Sequence, residues 1–483
     1  MFIFSVMMLD PKNFKSVSAD VIQWINDYLN QITSYPVKSP VKPGEIYERI
    51  PPKAPVQPES LDQIMKDLDE IILPGITHWQ HPGFHAYFPA NNSVESILAE
   101  FITASIGAQC MIWDTSPSAA ELEQRMMEWL RDAMGLPHGV EGVIQDSASS
   151  ASLAALLTAR EVKTGFRSNQ DGVPGGLRVY CSDEAHSSIE KAMGICGMGR
   201  KNLVRIDVDQ QLRLMPGELE QRIIADLEHG YIPCAVVATL GTTGTVSVDP
   251  LNEIAQLCEK YDLWLHVDAA YAGTALLLPE YRWMSRGMER VDSFVFNPHK
   301  WMFTNFDCSV YFVRNPELLI NTFEILPEYL KTKTRGRVND YRDWGVPLGR
   351  RFRALKLWFV IRSMGLSGIR DRLRKHIQLN EFFARELGRR KEFELLLPPF
   401  LNFTCFRLKP EDRSNVETSN RFNEKLLEEI NRRGNLFLTH TRIRDLYAVR
   451  ILFGQTYVEK VHAEQALEEI LQVAKDLLEK RIP

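Results

Sequence analysis

At 483 residues the chain is too long for one compact core, so we expect a large domain with smaller parts attached. A formal net charge of -5 provides no broad cationic field, which argues against nucleic acid as a partner. The cysteines number seven, an odd count without C-x-x-C spacing, so reduced thiols in the cytoplasm fit better than disulfides or a metal site.

The N-terminal region is predicted to form an arm. Apolar residues at helical spacing in 14–35 predict an amphipathic helix. Seven prolines in 36–58 exclude a long helix and favour an extended segment lying on another surface. The apolar start, 1–8, runs into Asp10 and Lys12 before a signal peptide or a membrane span is complete, so we expect no membrane partner.

Short β-rich runs alternate with helical stretches between about residues 140 and 315. The predicted strands are 177–181, 203–208, 235–240, 263–267, 294–296 and 309–313. This alternation predicts an α/β layer with a mostly parallel central sheet covered by helices on both faces. Ligands of such sheets bind beyond the carboxyl ends of the strands.

The remaining chain predicts an exposed loop and a small α+β domain. Segment 327–345 has no apolar periodicity and predicts the loop. The elements expected after it are a helix at 351–364, strands at 403–408 and 447–452, and a final helix at 463–478. The predicted division is an N-terminal arm at 1–90, a large α/β domain at 91–390 and a small C-terminal domain at 391–483.

The most specific local motif is Asn297-Pro298-His299-Lys300-Trp301, which follows an apolar strand directly. A lysine at the end of a buried strand loses hydration, which lowers its pKa and makes its amine available for carbonyl chemistry. A lone lysine after a strand is usually a surface residue. The five-residue context favours the functional interpretation.

A second motif, His266-Val267-Asp268-Ala269-Ala270, places a carboxylate at another strand end. A carboxylate there can pair with the pyridine nitrogen of a cofactor and keep it protonated, which makes the ring an electron sink. Aspartates at strand ends also cap helices, and from this motif alone the two interpretations are equally good.

Three more motifs lie at predicted strand ends. Ser147, Ala148 and Ser149 precede a helical run whose N–H groups suit a phosphate, or are a plain helix cap. His186 could lie on an aromatic cofactor, although a lone histidine is more often an ordinary polar contact. The turn at 240–244 suits close approach to a ring. Because all five motifs fall at strand ends of one predicted sheet, they favour a cofactor site.

Together these motifs resemble those of the group II pyridoxal-phosphate decarboxylases, specifically the aromatic-L-amino-acid decarboxylases. The likeness extends from about residue 14 to the C-terminus and includes Gly75–Trp79, Ala86–Pro89, Ser116-Pro117, Glu121–Glu123 and Leu348–Arg353. It implies pyridoxal 5'-phosphate (PLP) as cofactor, a fold-type I architecture like that of aspartate aminotransferase, and a homodimer with its active site at the subunit interface.

The resemblance also assigns roles to residues. It implies that Lys300 carries the cofactor covalently, Asp268 pairs with the pyridinium, His186 stacks on the ring and Tyr329 donates a proton to Cα. It places Ser147, Ala148, Ser149, Thr243, Ser293, Asn297 and His299 around the rest of the cofactor. It places Trp79, His85, Tyr87, Phe88, Ala90, Gln109, Met111 and Gly349 around the substrate.

The activity implied is decarboxylation of tryptophan, 5-hydroxytryptophan, tyrosine, phenylalanine or dopa to the arylalkylamine and CO2. Gly349 leaves space that a serine would fill, which favours an indole or a catechol. Aldehyde-forming relatives carry Phe where this chain has Tyr329, which favours simple decarboxylation. His85 and Gln109 replace the usual aromatic or aliphatic residues, and Ala90 replaces a common hydroxyl. A decarboxylase of acidic amino acids or histidine, an aldehyde synthase and a non-catalytic binding module stay open.

Overall fold

The structure is a computed structural model that describes residues 10–325, 337–409 and 415–479. Its helices are α1 (Phe14–Asn30), α2 (Glu45–Arg49), α3 (Leu61–Asp67), α4 (Val94–Ile106), α5 (Pro117–Met134), α6 (Ala148–Lys163), α7 (Ser168–Asp171), α8 (Ser188–Ile195), α9 (Pro216–Glu228), α10 (Leu251–Tyr261), α11 (Pro298–Trp301), α12 (Pro316–Phe323), α13 (Arg353–Gly388), α14 (Val416–Arg433) and α15 (Lys460–Leu478). Its strands are β1 (Glu141–Gln145), β2 (Leu177–Ser182), β3 (Leu203–Ile206), β4 (Ile232–Thr239), β5 (Trp264–Asp268), β6 (Ser293–Phe296), β7 (Ser309–Val313), β8 (Phe393–Leu395), β9 (Phe403–Leu408), β10 (Thr439–Ile443) and β11 (Leu446–Leu452).

Seven strands form the central sheet, in the order β1-β7-β6-β5-β4-β2-β3. The five strands from β6 to β3 run parallel, while β7 is antiparallel to both of its neighbours. The predicted mostly parallel sheet is therefore confirmed. Side chains of β4 alternate between two cores: Val236 packs with α9 and α10 residues, and Val237 packs with α6 and α8 residues. Helices thus cover both faces, which explains why the strands are apolar throughout.

The carboxyl ends of β4, β5 and β6 lie side by side. Thr239 is paired with Asp268, and Asp268 with Val295. The segments that follow β5 and β6 are also hydrogen-bonded to each other, because the Asn297 amide donates to the Ala270 carbonyl at 3.0 Å. The motifs that follow these strands therefore meet at one edge of the sheet, as parallel strands require.

A second, antiparallel sheet has the order β10-β11-β9-β8. It packs with α14, α15 and the second half of α13 in a core of its own. The path of α13 changes direction at Gly365, whose φ of +65° is the left-handed conformation that glycine adopts without strain. The predicted domain limits at residues 90 and 390 stay a prediction.

The N-terminal segment begins with the predicted helix, although α1 ends at Asn30 and a 3-10 turn follows. The proline-rich segment holds only the five-residue α2, as expected from its composition. Within residues 10–325, 337–409 and 415–479, no helix combines the length and apolarity needed to cross a membrane.

The predicted exposed loop at 327–345 is only partly described. Residues 326–336, and with them Tyr329, lie outside the described residues. The later part of the prediction is wrong, because a 3-10 turn at Tyr341–Trp344 buries both of its end side chains, which pack edge to face. The aromatic side chains of this turn do not recur at helical spacing, so hydrophobic periodicity cannot distinguish the buried turn from an exposed loop.

Candidate active site

Lys300 lies in α11, a single turn that follows β6 directly. Its side chain is half-buried and its Nζ is 5.2 Å from the centre of the Phe88 ring. Burial lowers the pKa of Lys300, and the Asp268 carboxylate opposes part of that shift. A lysine with a lowered pKa is a better nucleophile at neutral pH, as the sequence motif predicts.

Asn91 fixes the backbone of this lysine. Its Nδ2 donates to the carbonyls of Lys300 and Gly454, and its own amide donates to the His299 carbonyl at 3.0 Å. Its Oδ1 accepts from the Thr456 amide at 3.1 Å. Sequence reasoning missed Asn91, although its place directly after the Ala86–Pro89 motif was a usable signal.

Asp268 and His186 lie beside the lysine. The Asp268 side chain is buried at the end of β5, where its Oδ1 accepts from the Ala270 amide at 3.0 Å. Burial lowers the pKa of His186. The charge of Asp268 raises this pKa and the charge of Lys300 lowers it. These mutual effects show that the three groups share one electrostatic environment. The structure therefore brings together the predicted lysine, carboxylate and imidazole.

Three stacked aromatic rings, Phe88, Tyr271 and Trp301, lie next to the Lys300 side chain. Phe88 lies parallel to Tyr271 with ring centres 4.0 Å apart, and Tyr271 lies parallel to Trp301 at 5.1 Å. The Trp301 indole donates to Nδ1 of His376 in α13 at 3.0 Å. Both members of the Lys300–Trp301 dipeptide are thus held by packing, which fixes the direction of the lysine stem.

The predicted phosphate loop starts α6. Ser147 is its N-cap, and its Oγ accepts from the Ser150 amide at 3.2 Å. The first N–H groups of a helix lack intrahelical partners, so those of Ala148 and Ser149 suit an anion, and Ser149 is exposed. The plain-cap interpretation and the phosphate interpretation are compatible here, because the cap uses only Ser147.

Two of the remaining predicted cofactor residues are buried beside the lysine. His299 accepts at Nδ1 from the Cys308 amide at 2.9 Å, and burial lowers its pKa to about 3. It is therefore neutral, with its proton on Nε2, where it can donate. The Asn297 Oδ1 accepts from the Ser309 hydroxyl at 2.5 Å, which joins β6 to β7.

Ser293 is not part of this group. It begins β6, at the amino end of a parallel strand, while the other candidates follow the carboxyl ends. Its hydroxyl is buried against His266 Nδ1 at 2.9 Å and Trp264 Nε1 at 3.0 Å. The Ser293 hydroxyl thus has two side-chain partners within the sheet, and its contact with the cofactor stays a prediction.

Thr243 lies exposed in the turn after β4, and its carbonyl accepts from Nη2 of Arg450 at 2.6 Å. Arg450 also donates to the Gly244 carbonyl at 3.0 Å and to the Thr439 hydroxyl at 3.1 Å. The buried Arg450 was missed, although a single arginine inside the apolar run Tyr447–Leu452 signals a specific partner. A contact of Thr243 with the cofactor stays a prediction.

The predicted substrate residues form two groups. In the first, Trp79 stacks on Tyr87 at 5.9 Å, and Phe88 continues the chain beneath Lys300. Ala90 adjoins this group and accepts at its carbonyl from Gln80 at 2.6 Å. This group offers aromatic faces close to the lysine amine.

His85 belongs to neither group, which corrects the prediction that it lines the pocket. Its ring is buried against the segment that follows β11: its Nδ1 lies 3.0 Å from the Leu452 carbonyl, and its ring packs on Phe453. Burial lowers the pKa of His85 to about 4, so the ring is uncharged at neutral pH.

The second group surrounds Arg350. Gln109 Oε1 accepts from the Arg350 amide at 2.7 Å, and a Cβ built on Gly349 would lie 3.3 Å from Gln109 Nε2. The space that Gly349 leaves is therefore covered by an amide. Met111 lies two residues after Gln109, and its carbonyl accepts from the Arg342 backbone amide at 2.9 Å.

The arrangement fits PLP on chemical grounds. It combines an amine with a lowered pKa, a carboxylate for the ring nitrogen, an imidazole that interacts electrostatically with both, and a helix N-terminus for the phosphate. Among the described residues, no group of three or more His, Cys, Asp or Glu side chains could hold a metal ion. An organic cofactor with an aldehyde, a basic ring nitrogen and a phosphate is what these groups can bind.

Comparisons with known proteins agree. The family model "Pyridoxal-dependent decarboxylase conserved domain" matches residues 43–409. The chain is 38% identical to tyrosine decarboxylase 4 of Petroselinum crispum, covering 99% of this chain and 96% of that protein. It is 40% identical to the aromatic-L-amino-acid decarboxylase of Manduca sexta, covering 96% of this chain and 92% of that protein.

Not every similar protein is named as a decarboxylase. The chain is also 38% identical to phenylacetaldehyde synthase of Arabidopsis thaliana, covering 98% of both. A crystal structure of Oryza sativa TDC with PLP and tryptamine superposes with a TM-score of 0.95 at 32% identity, covering 98% of this chain and all of that chain. The predicted fold class and cofactor are thus confirmed. The chain belongs to the pyridoxal-dependent decarboxylase family.

Proposed function

We propose that this protein is a homodimeric enzyme that decarboxylates an aromatic L-amino acid to the arylalkylamine and CO2. The observation that carries the proposal is the Lys300 amine lying over the Phe88 ring and beside Asp268, with Phe88 following Tyr87, which stacks on Trp79. A flat aromatic substrate attached at this amine has ring faces on which to stack.

The chain's residues divide the chemical work. The Lys300 amine would hold the cofactor, and Asp268 would keep the cofactor's ring nitrogen protonated. PLP, when bound, supplies the electron sink that accepts the pair released as CO2 leaves. The α6 N-terminus at Ser147–Ser149 anchors the phosphate, and His186 covers the ring. Tyr329 returns one proton to Cα, which balances the loss of CO2.

An acidic substrate is less well supported, because it needs an open cation near its side chain. His85 is uncharged and turned away. Arg450 uses its Nε, Nη1 and Nη2 on Gly244, Thr439 and Thr243. Arg350 is paired with Glu123 in a buried salt bridge at 2.5 Å.

The homodimer is supported by α4. Leu98, Phe101, Ile102 and Ile106 recur at helical spacing and are 49, 41, 41 and 57% exposed. Exposed apolar side chains that form a contiguous stripe on a helix mark a protein–protein interface. We further place the protein in the cytoplasm, since all seven cysteines are free and buried.

The test is an amine-release assay with purified holoenzyme on aromatic amino acids, glutamate and histidine, with peroxide measured in parallel. We expect arylalkylamine from at least one aromatic substrate and none from glutamate. Release of amine only from glutamate or histidine would overturn the substrate class. A protein that binds no PLP would overturn the enzyme assignment, and light scattering that shows only monomers would overturn the dimer.

An aldehyde synthase is the alternative, and Tyr329 separates the two outcomes. Positioned proton transfer is worth roughly a hundred- to ten-thousand-fold. Tyr329→Phe keeps the ring and removes the donor, so we expect most amine formation to be replaced by oxygen-dependent aldehyde, ammonia and peroxide. Amine yield unchanged in Tyr329→Phe, without peroxide, would show that another group delivers the proton.

A further inference from the structure

A buried imidazole joins the helix of the phosphate loop to the strand that ends in Asp268. His266 lies in β5, and its Nε2 is 3.1 Å from the hydroxyl of Ser152 in α6. Its Nδ1 is 2.9 Å from the Ser293 hydroxyl at the start of β6, which also accepts from the Trp264 indole at 3.0 Å. His266 and Ser152 are fully buried, so both ring nitrogens are used inside the protein.

The charge state of His266 fits this arrangement. Burial lowers the pKa of His266 to about 4, although the nearby Asp268 carboxylate raises it. The ring is therefore uncharged at neutral pH, with one donor nitrogen and one acceptor nitrogen. Because a serine hydroxyl can donate or accept, Ser152 and Ser293 satisfy the ring in either tautomer. The chemistry assigned to Lys300 and Asp268 makes no use of this imidazole.

The bond to Ser152 fixes α6 in a direction that packing defines only loosely. Within the described residues, it is the only hydrogen bond between α6 and β5. The other buried residues of α6 include four alanines, at positions 151, 154, 155 and 159. Such small side chains form shallow ridges that interlock weakly, whereas a hydrogen bond tolerates a narrow range of distances and angles. The Ser152–His266 bond therefore sets the position of α6 along β5.

Each partner of this bond lies close to one anchor of the cofactor site. Ser152 lies just over one turn after the start of the phosphate loop at Ser147–Ser149. His266 precedes Asp268 by two residues in β5, so the two side chains lie on the same face of the sheet. PLP carries its phosphate arm and its ring nitrogen on one rigid ring. Both anchors can therefore hold it together only when α6 and β5 keep the right spacing.

We propose that His266 is a positioning residue: by holding Ser152, it sets the distance between the phosphate loop and Asp268. The correct distance lets both anchors engage PLP at once. The protein then binds PLP in preference to pyridoxal, which has the same ring without the phosphate. The inference rests on the proposed function for the place of PLP between these anchors, and it adds a residue that takes no part in the chemistry itself.

The test measures the affinity of the full chain for PLP and for pyridoxal by equilibrium dialysis. Ser152→Ala leaves His266 Nε2 without its partner, so we expect PLP affinity to fall about tenfold, the range of one buried hydrogen bond. Pyridoxal affinity should stay within about twofold, because pyridoxal has no phosphate for α6 to hold. Ser152→Thr keeps the hydroxyl and should keep the native ratio of the two affinities. The phosphorus NMR signal of bound PLP should move in Ser152→Ala and stay in place in Ser152→Thr.

Thr158→Val is the matched control. Thr158 is fully buried in the same helix, and its hydroxyl donates to the Ala154 carbonyl within α6 at 2.9 Å. This variant should melt earlier, as Ser152→Ala does, but leave the affinity ratio and the phosphorus signal unchanged. A native ratio in Ser152→Ala, or an equal loss of the ratio in Ser152→Thr or Thr158→Val, would overturn the inference. A native protein that binds no PLP would instead overturn the proposed function.

Discussion

The floor and the rim of the site are built differently. The floor, which comprises Asn91, Asp268, Asn297, His299 and Lys300, is mostly buried, and most of its polar atoms have protein partners. The rim, which comprises Tyr87, Gln109, His186 and Gly349, is exposed in the single chain. The floor is therefore held by contacts within one chain, whereas the rim is open to solvent, where a substrate and the proposed second subunit would cover it. We expect substitutions in the floor to affect chemistry and stability, and those in the rim to affect selectivity.

The largest effect is expected from Lys300→Ala. The phosphate loop and Asp268 remain, so the fold and the dimer should persist, but the amine that binds the cofactor is lost. We expect no measurable amine release and a melting temperature close to that of the native protein. Lys260→Ala, at an exposed lysine paired with Glu220, is the control. Near-normal turnover in Lys300→Ala would remove the lysine from its assigned role.

Asp268→Asn separates charge from geometry in the floor. The asparagine Oδ1 still accepts from the Ala270 amide, so the local cap survives while the charge is lost. We expect kcat to fall about a hundredfold or more, in the range of other removed electrostatic contacts. Asp292→Asn alters an aspartate that accepts from the Leu265 amide at 2.8 Å, before β6 at the opposite edge of the sheet, and should change stability alone. Turnover within about tenfold of native, or roughly 1.4 kcal/mol, would make Asp268 only a cap.

Asn91→Ala tests whether the floor depends on exact backbone placement. The change leaves three backbone groups without their partner, which should lower the free energy of unfolding by about 3 kcal/mol. Asn380→Ala removes comparable bonds to Leu401, Phe403 and Thr404 in the second core. Both variants should melt earlier, but only Asn91→Ala should lower kcat and shift its pH profile. Equal kcat in the two variants would mean that Asn91 serves stability alone.

The smallest effect concerns pH. The pKa of His85 is lowered to about 4 in the folded protein, against about 6.5 in an unfolded chain. The unfolded state therefore binds more protons between these values, so stability is full above pH 6.5 and declines as the pH falls towards 4. This amounts to up to about 2 kcal/mol between pH 7 and 5. His85→Phe should flatten the fall in melting temperature, while the exposed His138→Phe should not.

Much of the floor was predictable because its residues adjoin apolar strands. Lys300 and Asp268 each follow a buried run, and β7 was predicted at its exact limits. Parallel pairing then places such residues at one edge, so their meeting follows from the fold class. Ser293 is a different case, because its predicted cofactor contact comes from the family resemblance and its position at the amino end of β6 does not indicate it.

The rim was less predictable because its contacts join distant parts of the chain. The opposite facing of His85 and the approach of Gln109 to Gly349 depend on how separate segments dock. Neither hydrophobic alternation along a segment nor secondary-structure propensity indicates how separate segments dock. Arg450 shows the intermediate case, where an arginine in an apolar strand predicts a partner without identifying it.

The bond between Asn91 and Gly454 has a consequence for biosynthesis, because it spans 363 positions of the chain. A ribosome synthesises Gly454 long after Lys300, so the backbone around Lys300 has no support from Gly454 until then. Cofactor capture is therefore expected only after residue 454 has been synthesised. Nascent chains stalled before residue 450 should retain no PLP on gel filtration, whereas full-length chains should; equal retention by both would show that the lysine segment orders without its C-terminal partner.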